Sequence, residues 1–370
     1  ISESRHLTQA QIVSLVDRGP FLGKEAQEAG LVDGLAYRDE VYAKVKKKAG
    51  EGAKFLYLSE YLKRAGRPNS SGKTIALIYG VGAVARGDGG YSPFSGEEVM
   101  GSDHVTAAFR EALKDSSVKA ILFRVDSPGG SYVASDAIWR ETIRAKKAGK
   151  PVVVSMGNLA GSGGYFVAMA ADKIVAQPGT ITASIGVLGG KMLTLDFWDK
   201  LGLSWDNVHS STNSTFWTGT HDYSPAEWAR FQAWLDRVYT DFTGKVAEGR
   251  NLPKEKVLQI AKGRIWTGED AKELGLVDEL GGFPEALRLA KQAAKIPDKE
   301  EVNLKVYPPK KSPFQMLFEE GPPSSDPGEA AMTALARDIK EIQPYIRRIK
   351  MLALGTESGV LTMPPVEGKP

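Results

Sequence analysis

The 370-residue sequence has no cysteine and only 4 histidines. The first absence excludes cysteine nucleophiles, thiolate metal sites and disulfides, and leaves the redox compartment open. No run of about 18 consecutive apolar residues occurs, and Ile1 opens into a polar stretch without a signal-peptide pattern. Charge of one sign is lacking too: 48 Lys+Arg against 45 Asp+Glu give a formal net charge of +3, spread along the chain, so nucleic acid is not an expected partner. The Lys-rich run from Lys44 to Lys48 reads as one solvated helix face. Neither GxxxxGK[ST] nor GxGxxG spacing occurs at the glycine-rich turns, which removes the nucleotide-binding classes. What is present, 42% hydrophobic and 25% charged residues, is the composition of a globular protein able to bury a large core.

An internal repeat organises the chain. RHLTQAQIVSLVDRGPFLGKEAQEAGLVDGL, from Arg5 to Leu35, aligns without a gap on RNLPKEKVLQIAKGRIWTGEDAKELGLVDEL, from Arg250 to Leu280. Leu7 matches Leu252, Gly23 matches Gly268, Ala26 matches Ala271, and Gly30-Leu31-Val32-Asp33 matches Gly275-Leu276-Val277-Asp278. In each copy a helix-like apolar spacing is followed by an aromatic and a glycine, then by a second short helix running into GLVD. Copies this far apart imply two large homologous domains rather than a solenoid. The expectation is residues 1–50 as the tail of an incomplete first copy, 51–72 as a linker, 73–295 as a complete second copy, and 296–370 as a Pro-rich connection with a helical extension at about 330–354.

Between the copies, strand and helix signals alternate: TIALIYGVGAV, a helix from about Asp103 to Lys114, AILFRVD, a helix from about Ala134 to Ala148, then PVVVSMG. Near-continuous apolar strands separated by helices require a parallel sheet covered on both faces, so the fold class is α/β. Two glycine-rich turns follow strands, Ser127-Pro128-Gly129-Gly130 and Gly161-Ser162-Gly163-Gly164-Tyr165, where parallel α/β folds place their ligands. Glycines there allow close backbone approach and leave N–H groups free to face developing negative charge. Ser162 is expected at a helix N-terminus, where the dipole favours an oxyanion. On its own it would read as an N-cap; the second glycine turn makes it a candidate nucleophile.

SPGG, SMGNLAGSGGY, ITASIGVLGG and RIWTGEDAKELGLVD resemble, in order and spacing, the signal peptide peptidase A family from Lys73 to about Leu280. The resemblance implies a Clp protease/crotonase-like fold with parallel sheets flanked by helices; double-length members carry two tandem copies. It implies a serine endopeptidase degrading hydrophobic signal peptide remnants at the bacterial inner membrane, facing the periplasm, as a homo-oligomer such as a tetramer, with no metal and no cofactor. Carried over by residue, Ser162 is the nucleophile, Gly163 with Gly130 or Gly129 supplies the oxyanion amides, and Ser184 hydrogen-bonds the catalytic amine. The base in that family is a lysine, which must be desolvated to accept a proton near neutral pH.

No lysine lies between Lys200 and Lys245, where short-form relatives place theirs; the stretch reads HSSTNSTFWTGTH. Double-length relatives carry it in the first copy, so the base and an N-terminal membrane anchor are expected upstream of Ile1, and this chain alone is expected to be inactive. Lys191 reads as a surface cation, and His209 or His221 with Asp222 as solvated loop residues. The aromatics Phe216, Trp217, Tyr223, Trp228, Phe231, Trp234 and Tyr239 become helically spaced from Trp228 and read as packing residues. Two alternatives remain: a crotonase-type acyl-CoA enzyme using the same glycine turns, and an assembly domain without catalysis.

Overall fold

The computed structural model describes residues 1–50, 52–91, 98–211 and 213–309, and the helix expected at about 330–354 lies outside them. The chain divides into two compact units, one from Ile1 to Pro68 and the other beginning at Asn69. Among the described residues the first holds α1 (Ser2–Arg5), α2 (Gln9–Arg18), α3 (Gly23–Glu28), α4 (Arg38–Ala49) and α5 (Leu58–Ala65). Thr8 starts α2 with a capping box, its hydroxyl accepting from Gln11 N–H and its own N–H donating to Gln11 Oε1. The stretch expected as a linker, 51–72, thus contains one helix.

The second unit begins with β1 (Lys73–Val81), followed by β2 (Ala83–Ala85), β3 (Gly89–Tyr91), β4 (Glu98–Gly101), α6 (Ser102–Lys114), β5 (Val118–Ser127) and α7 (Tyr132–Lys147). It continues through β6 (Val152–Gly161), α8 (Gly163–Ala168), β7 (Lys173–Ala176), β8 (Ile181–Ala183), α9 (Leu195–Lys200) and α10 (Pro225–Arg250). It ends with α11 (Lys254–Ile260), β9 (Ile265–Thr267), α12 (Gly268–Leu274), β10 (Glu279–Leu280), α13 (Phe283–Ala293) and β11 (Val302–Tyr307). The main sheet runs β10-β7-β6-β5-β1-β11 with every pair parallel; β8 joins β6 in parallel, and β9 closes antiparallel on β8.

Side-chain alternation distributes the core to both faces. Ile121, Phe123 and Val125 of β5 pack with α6, α7 and α8 in one apolar cluster, whereas Leu122 turns to the other face with Ile75, Leu77 and Val153 against α13. This is the α/β architecture with a mainly parallel sheet flanked by helices that the alternating pattern requires.

One irregularity positions the site. Val125 pairs with Met156 but Ser127 pairs with Ala160, so β5 advances two residues while β6 advances four. The surplus is held by Asp126, whose carboxylate accepts from Leu159 N–H at 3.1 Å and Asn158 N–H at 3.4 Å, and lies where a Cβ on Gly157 would sit. Beyond this bulge β6 leaves β7 and pairs with β8 instead, with Gly161 opposite Ala183.

The repeat extends to hydrogen bonds. Arg250 donates from Nε to Gly275 O at 3.2 Å and from its guanidinium to Asp278 at 2.8 Å; Arg5 donates in the same way to Gly30 O at 2.7 Å and to Asp33 at 3.1 Å. Burial differs: Ala271, Leu276 and Val277 are in the core, whereas Val32 of the first copy is exposed. The Arg250 side chain is 7% exposed, while Asp33 is 93% exposed. Arg250→Ala removes a nearly buried guanidinium from Asp278, which keeps the Ile174 N–H and the more distant Lys173, and is expected to cost about 2 kcal/mol in urea unfolding, whereas Arg5→Ala leaves the midpoint nearly unmoved.

Candidate active site

Ser162 occupies the junction between β6 and α8 with φ 50° and ψ −117°, a backbone region that a side chain rarely enters. It is fixed there from both directions, its N–H donating to Ala183 O at 2.8 Å and its C=O accepting from Phe166 N–H at 2.9 Å. Ala183 and Ser184, at φ 65° and 49°, are left-handed as well, and the Ser184 N–H donates to Arg264 O at 3.0 Å. Three non-glycine residues with positive φ therefore meet at one point of the sheet. Below them Tyr165 is fully buried and donates its hydroxyl to Leu276 O at 2.9 Å, tying GSGGY to GLVD; burial raises its pKa.

The SPGG turn is pinned independently. Val84 N–H donates to Gly129 O and Ser131 N–H donates to Val84 O, each at 2.8 Å, while Ser127 Oγ donates to Gly82 O at 2.6 Å. Ser127 Oγ also accepts from Gly129 N–H at 3.2 Å. The Gly129 amide is thereby engaged, whereas the Gly130 and Gly163 amides have no hydrogen-bond partner among the described residues.

The two turns touch. A Cβ built on Gly129 would stand 2.6 Å from Gly163 N and 2.7 Å from Ser162 Cβ, and one on Gly163 would stand 3.1 Å from Gly130 N and 2.5 Å from Ser135 Oγ. Glycine is needed at both positions for this approach, and Gly129 also has φ 99°. The helix after Ser162 is only six residues long, so its dipole is small and the unengaged Gly130 and Gly163 amides are the donors nearby.

Ser162, Ser184, Gly130 and Gly163 all line one cavity of about 830 Å³, with Tyr132, Ser135 and Phe166 beside them and Val238, Tyr239 and Phe242 contributed by α10. Gly129 packs behind Gly163. Lys191 is elsewhere, its ammonium 4.2 Å over the Tyr223 ring, and His221 lies 3.9 Å from Glu227. Several residues escaped sequence reasoning. Lys262, with a left-handed backbone at φ 61°, lines the cavity although its place within the repeat, just before RIWTGEDAKELGLVD, gave it no functional reading. Ser127 and Ser135 act on the glycine turns through contacts that no periodicity reveals.

The aromatic stretch is partly core: Phe231 is buried and stacks on Tyr223 at 5.2 Å, while Trp217, Trp228 and Trp234 remain partly exposed at its rim. The helix carrying them, α10, begins with a capping box between Ser224 and Glu227 and Pro225 at its first position.

Between α7 and α10 lies an ionic network. Tyr132 donates to Asp241 at 2.7 Å, and Lys245 donates to Asp241 at 2.7 Å and to Asp136 at 2.5 Å, with its ammonium 4.4 Å from the Trp139 ring centroid. Burial and then Asp241 raise the Tyr132 pKa. Burial opposes the Lys245 charge, but its two carboxylate partners outweigh burial and hold its pKa above the ordinary 10.5. Burial likewise opposes the Asp241 charge, yet the bonds from Lys245 and Tyr132 hold its pKa below the ordinary 3.8.

A parallel sheet with free amides and a serine at the carboxyl ends of its strands places this chain among the α/β folds that act at that edge. Residues 144–297 match the model of peptidase family S49. The chain is 33% identical over 313 residues to a chloroplastic serine protease of Arabidopsis thaliana, covering 82% of this chain and 46% of that protein. It is 31% identical over 236 residues to a putative signal peptide peptidase of Enterococcus faecium, covering 64% of this chain and 68% of that protein. Among solved structures, ClpP1 of Listeria monocytogenes aligns with a TM-score of 0.37 at 15% identity, covering 57% of this chain and 94% of that one.

The chain belongs to peptidase family S49, a family of serine peptidases. It spans just under half the length of the Arabidopsis relative and of two bacterial relatives of similar likeness.

Two outcomes are expected. Gly129→Ala forces a side chain onto Ser162 and Gly163 at an unfavourable φ, and should lower stability by about 2 kcal/mol or more in chemical denaturation. For Asp241, whose folded pKa lies below its unfolded value, the stabilising contribution is complete above 3.8 and lost as pH falls through the folded value. Lys245 adds the opposite limit, complete below 10.5 and lost as pH rises through its raised pKa. The stability gap between wild type and Asp241→Asn should therefore be flat between these limits and close on acidification, as read from thermal unfolding at stepped pH.

Proposed function

We propose that this chain is the nucleophile-bearing part of a serine endopeptidase with a Ser-Lys dyad. The observation that carries the reading is the pair of unengaged amides, Gly130 and Gly163, beside a serine whose backbone is held in an unfavourable conformation on a cavity wall. In this reading Ser162 Oγ attacks the scissile carbonyl carbon as an amine takes its proton, and the carbonyl oxygen becomes an oxyanion accepting from the two amides. The amine returns the proton to the leaving nitrogen as the C–N bond breaks. Water then hydrolyses the ester by the same route. Ser184, on the same cavity wall, orients the amine, and Gly129 serves by close packing because its own amide is engaged.

The base is a lysine contributed by a further peptidase-like copy, in keeping with the resemblance to double-length family members. Burial against this apolar cavity would lower its pKa as the chemistry requires. The substrates are hydrophobic peptides such as signal peptide remnants, a reading supported by the aromatic lining and by the Enterococcus relative's name. Work at the inner membrane, on its periplasmic side and as a homo-oligomer such as a tetramer, is what the resemblance to the family implies, and exposed apolar side chains at Leu188, Met192, Val208 and Trp217 are in keeping with contact to another apolar surface. Among the described residues no helix is long and apolar enough to cross a membrane. Membership of a peptidase family weighs against the acyl-CoA and purely structural alternatives.

A second reading makes Lys262 the base, because it lines the same cavity as Ser162 and Ser184. One experiment separates the two. Hydrolysis of a hydrophobic peptide by the chain alone is expected to be negligible and to rise with added methylamine, which supplies the missing base, and Ser162→Ala should abolish the gain. Hydrolysis without added amine that disappears in Lys262→Ala would favour the second reading. Rescue that persists in Ser162→Ala would overturn both.

A further inference from the structure

Next to Ser162 the cavity wall is aromatic and apolar, formed by Tyr132, Phe166, Val238, Tyr239 and Phe242. Tyr132 is unusual among these because it is fixed at both ends. Its backbone opens α7 immediately after the SPGG turn, where Ser131 caps the helix by accepting from Ala134 N–H at 3.4 Å. Its ring stands edge-on to Phe166, with centroids 5.7 Å apart. Its hydroxyl is bound to Asp241, and Asp241 is itself held by Lys245, which reaches Asp136 on the helix that Tyr132 begins.

That circuit starts and ends on α7 and passes through α10, so it ties the two walls of the cavity to each other. A lone hydrogen bond to a half-exposed carboxylate would let the phenol exchange its partner for water. Here the Lys245 side chain is only 17% exposed, and its ammonium lies over the rings of Trp139 and Phe166 at 4.4 and 5.3 Å. The carboxylate is thereby kept in place, and so is the phenol. A wall that cannot swing excludes by volume, and each methylene group admitted or refused by an apolar pocket changes recognition by about tenfold or more.

We propose that Tyr132, held by the Asp241–Lys245–Asp136 circuit, is a specificity-determining residue that limits the size of the apolar side chain a bound peptide can insert beside Ser162. The proposal rests on the peptidase reading of the cavity. Asp241 and Lys245 are positioning residues: they act through Tyr132.

The test measures binding rather than turnover. Fluorescent decapeptides identical except for one Ala, Leu or Trp are titrated into the full chain by anisotropy, in wild type, Tyr132→Ala, Tyr132→Phe, Asp241→Asn and the exposed control Val133→Ala. Wild type and the control are expected to prefer Leu over Trp. Tyr132→Ala should move the Trp-to-Leu affinity ratio toward Trp by about tenfold. Tyr132→Phe and Asp241→Asn, which keep the packing volume but release the ring, should move it in the same direction by less, with unchanged circular dichroism. A ratio identical in every variant overturns this proposal while leaving the peptidase reading intact. Failure of every peptide to bind wild type overturns both.

Discussion

At residue 162 a serine must hold φ 50° and ψ −117°, and the surrounding structure is arranged to keep it there. Such a conformation costs of order 1–3 kcal/mol and persists only where neighbours over-determine it. Here they do so through Ala183 O on one side, Phe166 N–H on the other, and two glycines packed so closely that neither tolerates a Cβ. The bulge held by Asp126 comes first in this chain of dependence, since it moves β6 off β7 and onto β8, which brings Gly161 opposite Ala183. The strained serine, the left-handed pair at 183 and 184, and the SPGG turn are parts of one local solution.

The chemistry follows from what that arrangement leaves unpaired. Buried and half-buried amides nearly always find partners, and near Ser162 most do: Gly129 gives its proton to Ser127, and Ser184 gives its own to Arg264. The Gly130 and Gly163 amides have no partner among the described residues, and both residues stand on the wall of the cavity that Ser162 also lines. Donors set in advance of charge development need little reorganisation when a carbonyl oxygen turns negative, which is the physical basis for reading the site as one for acyl transfer.

Much of this was legible in the sequence because the signals were local. Near-continuous apolar runs such as AILFRVD, alternating with helical stretches, pointed to the parallel sheet, and two glycine clusters after strands marked the carboxyl edge. The ungapped repeat is matched in the structure by equivalent arginine bonds, from Arg5 to Asp33 and from Arg250 to Asp278, which the alignment alone had not pointed to. What was not legible depended on long-range contact. The Tyr132 to Asp241 bond spans 109 residues of sequence, Lys262 reaches the cavity only because its loop pairs with Ile185, and Ser127 looked like the first letter of a turn rather than the group that occupies the Gly129 amide. The helix expected behind Ser162 is short, since α8 has only six residues, all of them buried.

The central claim is that Ser162 Oγ and the Gly130 and Gly163 amides converge on one reacting carbonyl. A crystal structure of the chain with a peptide boronic acid tests it most directly. The account requires boron bonded to Ser162 Oγ and one boronate oxygen within about 2.7–3.1 Å of both amide nitrogens. Boron on another residue, or a boronate oxygen turned to solvent with both amides still empty, would contradict it.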